Sequence, residues 1–372
     1  MQKRRLGKTG LELCMLGLGG FHLLEIPTSS AVEIIERYID SGGNYVETAA
    51  SYGNGESEAK VGRAVSKKRN QVILATKTLR RDAEGVTQSI NSSLQNLGVD
   101  DVDILFMHAV ATSDDLDKIM APGGAMEGVA QAISQGKLRY VGISMHGHPG
   151  VLVQALLCYP FDVVMASLNY FDRCNYPELE KHLLPLAVEK DVGVLAMKPV
   201  ADGLLWQSAE NAFRYVWSLP GVACAVTGIN SLEMLEQDVR YAREFSPMSE
   251  QAIQQLLAQA PELGDYVCRQ CDNCCVECNL PMQHLFRLEG CYDRQMRDGR
   301  PRTPPEFALR DRLRFWYGNH EMARREYASQ ALDTRVSCTE CNRCVGTCRY
   351  GIDVKQKIRY AHYKLSGNPS HF

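Results

Sequence analysis

No stretch of this 372-residue sequence approaches the roughly 20 apolar residues that a bilayer-spanning helix needs. The opening, MQKRRLGKTGLEL, is basic but lacks the apolar run of a signal peptide. These absences predict a soluble, cytoplasmic protein with no membrane partner. An excess of one charge is missing as well. Lys and Arg number 41 against 44 Asp and Glu, for a net charge of −3, and no basic block is long enough to follow a phosphate backbone, so nucleic acid is not an expected partner. The dinucleotide fingerprint GxGxxG is absent too: Gly17, Gly19 and Gly20 have neither its spacing nor the helix that should follow.

Cysteine is not scarce. In a reducing compartment, 14 cysteines are better explained by metal binding than by disulfides. Cys14, Cys158, Cys174 and Cys224 are scattered singly and read as small buried hydrophobes. The other ten lie between Cys268 and Cys348.

From about residue 13 to 244, β-branched runs alternate with amphipathic stretches. The strand candidates are Leu13–Leu18, Tyr45–Val46, Val72–Ala75, Val102–Met107, Leu138–Ile143, Val163–Ala166, Val192–Met197 and Val222–Val226. Between them, stripes such as Ala31, Ile34, Ile35, Tyr38 and Ile39, or Val86, Ile90, Leu94 and Leu97, suit helices packed on a sheet. Ser30 with Glu33 reads as a capping box, and Pro149 and Pro177 suit first turns. Eight such repeats predict a closed (β/α)8 barrel, a TIM barrel, over residues 1–247, rather than an open doubly wound sheet. Past Ser246 the alternation stops, with one more helix at Met248–Ala260. Residues 248–372 form a separate, smaller and helix-rich module.

Cys268, Cys271, Cys274 and Cys278 form CxxCxxCxxxC, and Cys338, Cys341, Cys344 and Cys348 repeat it. Three closely spaced cysteines can wrap three corners of a [4Fe-4S] cube, and in two-cluster ferredoxins the fourth ligates the other cluster. That logic assigns Cys268, Cys271, Cys274 and Cys348 to one cluster and Cys338, Cys341, Cys344 and Cys278 to the other. The competing metal is zinc, which prefers two CxxC pairs separated by a longer loop. Asn279 and Arg349 replace the proline usual after such runs, which affects the chain's exit and not ligation. Cys275 and Cys291 are spare. Between Arg287 and Glu326, ten arginines face seven acidic residues. This composition reads as an ion-paired helical face; a sharper reading makes it a dock for an acidic electron carrier.

In such a barrel the active site lies past the C-terminal ends of the strands. There the sequence places Glu47 and Tyr52 after strand two, Lys77 at the end of strand three and His108 after strand four. Lys77 near Tyr52 would lower the phenol's pKa, Glu47 would hold the lysine charged, and His108 would donate to a carbonyl oxygen.

The opening KRRLGKTGLEL, the ETAASYGNGESE run, GKLRYVGIS and GVACAVTGINSLEMLEQDV resemble the aldo-keto reductases over nearly the whole chain. With its cysteine-rich tail the chain is similar to their iron-sulfur branch, which carries a ferredoxin-like domain with two [4Fe-4S] clusters. The resemblance implies an NAD(P)H-dependent oxidoreductase that reduces a small carbonyl substrate or oxidises an alcohol. Tyr52 is then the general acid, with Lys77, His108 and Glu47 as its partners. It also implies cofactor contacts from Ser144, Asn169, Lys198, Thr227, Gly228, Asn230 and Ser231, the last four where a helix N-terminus attracts phosphate. His146 and Lys198 lie near the same mouth. A ferredoxin- or flavodoxin-like protein would be the electron partner. Two departures stand out. Glu47 replaces the family's aspartate, and Met145, Met165 and Met197 stand where the family holds the nicotinamide with amides and an aromatic ring. The alternative reading is a catalytically altered barrel acting as a redox-sensing or binding subunit, its clusters structural.

Overall fold

The computed structural model describes residues 1–146, 149–271, 274, 282–293, 320–329 and 344–366. The chain divides into two compact units. The first comprises residues 1–168, 178–200 and 208–247, and the second 169–177, 201–207 and 248–372.

In the first unit, β1 (Lys3–Arg5) pairs antiparallel with β2 (Glu12–Cys14). Eight parallel strands then close on themselves: β3 (Leu16–Gly19), β4 (Tyr45–Glu47), β5 (Ile73–Thr78), β6 (Val102–Met107), β7 (Leu138–Ser144), β8 (Val163–Ser167), β9 (Gly193–Met197) and β10 (Val222–Gly228), with β10 pairing β3. The expected barrel is present. The first expected strand, Leu13–Leu18, is two strands and not one, because β2 leaves the barrel to pair with β1 and only β3 joins the ring. This hairpin seals the N-terminal end. Gly7 packs so closely on the start of β9 that a Cβ would lie 2.3 Å from the Gly193 nitrogen, and the Tyr140 hydroxyl donates to the Thr9 carbonyl at 2.8 Å.

The ring is wrapped by α1 (Thr28–Asp40), α2 (Glu56–Val65), α3 (Ala83–Leu97), α4 (Ser113–Met120), α5 (Ala125–Ser134), α6 (Gly150–Cys158), α7 (Leu184–Glu189), α8 (Ala209–Ser218) and α9 (Leu232–Arg243). The predicted apolar stripes of α1 and α3 are their buried faces. The capping box is not. α1 begins at Thr28 behind Pro27, so Ser30 lies inside the first turn and no side chain caps the helix. True caps occur where the side chain accepts from the first turn: Asp82 from Gly85 N at 2.7 Å and Ser231 from Met234 N at 3.2 Å. Tyr45, Ile104, Phe106, Val163, Met165, Leu195, Met197 and Val226 belong to the buried barrel core. Met165 and Met197 therefore fill the barrel where the family pattern would place an amide and a ring.

In the second unit, the described helices of the tail are α10 (Glu250–Gln259), α11 (Met282–Asp293), α12 (His320–Ser329) and α13 (Val354–Ser366). α11, α12 and α13 pack on one another. Cys278, Cys338 and Cys341, like the spare Cys275, lie outside the described residues, as does most of the Arg287–Glu326 stretch. Among the described residues, no helix is long and apolar enough to cross a membrane.

Candidate functional site

At the C-terminal rim of the barrel, strand alternation sends Lys77 inward from β5 while its neighbour Thr76 reaches outward to Glu58 of α2 at 2.6 Å. After β4 the chain keeps bonding to β5, Thr48 N donating to Ala75 O and Ala50 N to Lys77 O. It then turns sharply through Gly53, Asn54 and Gly55, all with positive φ. That turn sets Tyr52 over the barrel.

Glu47, Tyr52, Lys77 and His108 are brought together, and all four are buried. The Lys77 ammonium donates to the Tyr52 hydroxyl at 3.2 Å and to the Thr48 carbonyl at 2.9 Å, and it is ion-paired with Glu47. The His108 ring stands edge-on to the Tyr52 ring, centroids 5.7 Å apart, with Ser51 Oγ 3.4 Å from Nδ1. If Nδ1 accepts from Ser51, the imidazole carries its hydrogen on Nε2. Arg81 fixes the backbone here by donating to the His108 carbonyl at 2.7 Å.

The electrostatics depart from the sequence expectation at one point. Lys77 was expected to depress the Tyr52 phenol, but burial outweighs it and pushes the pKa up. Tyr52 thus stays protonated at neutral pH, the state a proton donor requires. Burial also pulls the Lys77 ammonium well down, against its contact with Glu47 and two oxygen acceptors. His108 is held well below the usual histidine range, first by burial and then by the charges of Lys77, His146 and Arg81. It is neutral at pH 7.

Glu47 has one methylene more than an aspartate, and Gly19 accommodates it. The two residues are register partners, and a Cβ on Gly19 would come within 3.3 Å of Glu47 Oε1.

The expected cofactor residues divide. Ser144 closes the ends of β6 and β7, its Oγ 3.4 Å from Ala109 N. Thr227 and Gly228 end β10, and Ser231 caps α9. Asn230 donates to Glu25 at 2.9 Å, and His22 packs where a Gly228 Cβ would be. Lys198 follows β9 with a left-handed backbone, φ 56°. Asn169 belongs to the second unit, where Nδ2 donates to Asp172 Oδ2 at 2.8 Å and Oδ1 accepts from Asp172 N at 2.7 Å. The His146 ring lies 6.1 Å from that of His108. Sequence reasoning missed Ser51, adjacent to Tyr52 in its own motif. It also missed Phe21, whose ring stands edge-on to Tyr52 at 5.2 Å, and Arg81, for which no sequence signal existed.

A family model described as "Aldo/keto reductase family" matches residues 15–214. The chain belongs to the aldo/keto reductase family. It is similar to an uncharacterised oxidoreductase, YqkF, of Bacillus subtilis, 26% identical over 292 residues, covering 65% of this chain and 91% of that one. L-galactose dehydrogenase of Arabidopsis thaliana is 31% identical over 222 residues, covering 55% and 67%. Among solved structures, the holo form of aldo-keto reductase AKR11C1 from Bacillus halodurans superposes with a TM-score of 0.61 at 26% identity, covering 70% of this chain and 97% of that one. This aldo-keto reductase is an oxidoreductase of that type, with a further unit added to its barrel.

That unit contains a second candidate site. Cys268, Cys271, Cys274 and Cys348 line one pocket with Arg269, Gln283, Phe286, Tyr350, Ile352 and Val354. Burial raises the Cys268 thiol to about 11, while Lys357 works to lower it. Among the described residues, two buried donors of the pocket lining, Arg269 Nε and Gln283 Nε2, have no hydrogen-bond acceptor. No three or more His, Cys, Asp or Glu side chains among the described residues form a group that could hold a metal ion.

Proposed function

We propose that the barrel reduces the carbonyl of a small molecule, or oxidises the corresponding alcohol, with Tyr52 as proton donor and a nicotinamide dinucleotide as redox partner. The observation that carries this is the Lys77 ammonium bound to the Tyr52 hydroxyl beside a neutral His108. When bound, the reduced nicotinamide supplies the hydride. The chain's residues do the rest. His108 Nε2–H and the Tyr52 hydroxyl converge on the carbonyl oxygen, and the phenolic proton passes to that oxygen as the carbon is reduced. Lys77, held by Glu47 and Thr48, stabilises the phenolate left behind. The proton acceptor in alcohol oxidation is the same phenolate.

The catalytic corner fits a nicotinamide. Thr227, Gly228, Asn230 and Ser231 would seat its phosphates at the start of α9, with Ser144 and Lys198 closer to the ring. Glu25, bound to Asn230, lies beside that seat.

We further propose that the tail carries two [4Fe-4S] clusters passing single electrons to or from a ferredoxin- or flavodoxin-like carrier in the cytoplasm. The four thiols converging on one pocket from two distant runs are the set expected for the first cluster. The buried Arg269 Nε and Gln283 Nε2, without an acceptor among the described residues, would be satisfied by a cluster's sulfurs. The second cluster takes Cys338, Cys341, Cys344 and Cys278.

The test is anaerobic purification of the full chain with iron counting, followed by turnover of Tyr52→Phe. About eight irons per chain are expected, and a kcat loss on the order of 10²- to 10⁴-fold with nicotinamide binding intact. Zinc in place of iron would sink the cluster reading. Undiminished turnover of Tyr52→Phe would remove that residue from the chemistry.

A further inference from the structure

The chain that follows β6 carries backbone strain beside the catalytic corner. Ala109, the residue after His108, has φ 52°, a left-handed conformation in which an alanine Cβ crowds the carbonyl that follows it. Such a residue keeps this conformation only where its surroundings hold it there. The φ of Ala109 and the ψ of His108 together orient the peptide plane between them, so relaxation at Ala109 would swing the His108 backbone and its ring with it.

The turn is held from two sides. At the end of β7, the Ser144 carbonyl accepts from Val110 N at 3.0 Å, and Ser144 Oγ lies 3.4 Å from Ala109 N. On the other side, Arg81 Nη2 donates to the His108 carbonyl at 2.7 Å, and Asp115 of α4 accepts from Ala111 N at 3.1 Å. The same Asp115 carboxylate lies 3.9 Å from Arg81 Nε, so these two side chains bracket residues 108–111. Arg81 is anchored in turn, its carbonyl accepting from Ala125 N at the start of α5 at 2.9 Å. Its side chain is largely buried, and among the described residues Nη1 is a buried donor with no acceptor. An unmet buried donor lowers stability, so holding the fold together does not by itself account for an arginine here.

We propose that Arg81 is a positioning residue for the carbonyl chemistry: with Asp115 it clamps the left-handed turn at Ala109, and through that turn it aims the His108 imidazole at the substrate oxygen. This rests on the catalytic reading above, in which His108 Nε2–H and the Tyr52 hydroxyl meet on that oxygen. Misplacing such a group by about 1 Å costs on the order of 10²-fold in rate, which gives the clamp its leverage although Arg81 itself touches no reacting atom.

The experiment is a double-mutant cycle on the full-length protein, with p-nitrobenzaldehyde as the carbonyl probe and NADH or NADPH as reductant. Arg81→Met is expected to lower kcat about 10- to 100-fold, and to change it by less than about twofold in a His108→Gln background, where there is no imidazole left to aim. Ala109→Gly takes the left-handed conformation without strain and is expected to recover most of the Arg81→Met loss, a rescue that an arginine with a merely structural role would not show. Should Arg81→Met fail to fold, Asp115→Ala carries the same cycle by releasing the turn at Ala111. Equal losses with and without the His108 side chain overturn the proposal. So does unchanged hydrogen exchange over residues 107–112 in Arg81→Met, a readout that needs no turnover. Undiminished turnover of Tyr52→Phe overturns the catalytic reading itself, which is a different result.

Discussion

Glu47 reaches one methylene further than the acid that the family resemblance implies, and the space for it comes from the neighbouring strand. Gly19 is already crowded, since a Cβ would lie 3.3 Å from Glu47 Oε1 and 3.2 Å from the Thr227 carbonyl. Gly19→Ala should therefore push the carboxylate off Lys77 and lower kcat roughly tenfold or more, on the order of 1 to 2 kcal/mol. Shortening the acid with Glu47→Asp should recover part of the loss. A double-mutant cycle on kcat measures the coupling; additive effects would show that the two positions are independent. The same residue pair explains why sequence alone left the fate of the extra methylene open. Strand pairing between Gly19 and Glu47 is set by the closing of the ring, and nothing in either local motif announces it.

At the scale of elements, the turn that carries Tyr52 is the most demanding piece of backbone in the site. Gly55 has φ 95°, and a Cβ there would meet the Asn96 amide at 2.4 Å. Gly55→Ala should cost on the order of 1 to 3 kcal/mol in stability and lower kcat by displacing Tyr52, with thermal unfolding and turnover measured on the same sample. A variant with native melting temperature and native kcat would show the turn to be slack. Most of these elements were legible. Strands buried on both faces read as β-branched runs, helices showed their stripes, and Glu47, Tyr52, Lys77 and His108 fell at three successive strand ends. Two things were not legible. Met15 interrupts what looks like one strand, because the hairpin rather than composition decides which half joins the ring. Glu289 and Lys364 meet across 75 residues of sequence, a pairing set by how α11 and α13 pack, and no local pattern encodes it.

For the molecule as a whole, stability should depend on pH through a carboxyl with no role in the chemistry. Burial raises Asp238 of α9 to about 7. Between its unfolded value of about 3.9 and that pKa, the folded chain binds the extra proton, so stability falls as pH rises through this window and stays low above it. Asp238→Asn removes the penalty. It should raise the unfolding free energy at pH 8 by up to about 4 kcal/mol and change it little at pH 4, as read from denaturant titrations at the two pH values. Equal effects at both would show that the group is not raised. The closure of β10 onto β3 has a further consequence. Every barrel strand has two neighbours, so the ring itself offers no open backbone ladder to a visiting chain. Edge-to-edge aggregation through the ring would first require the hoop to be broken.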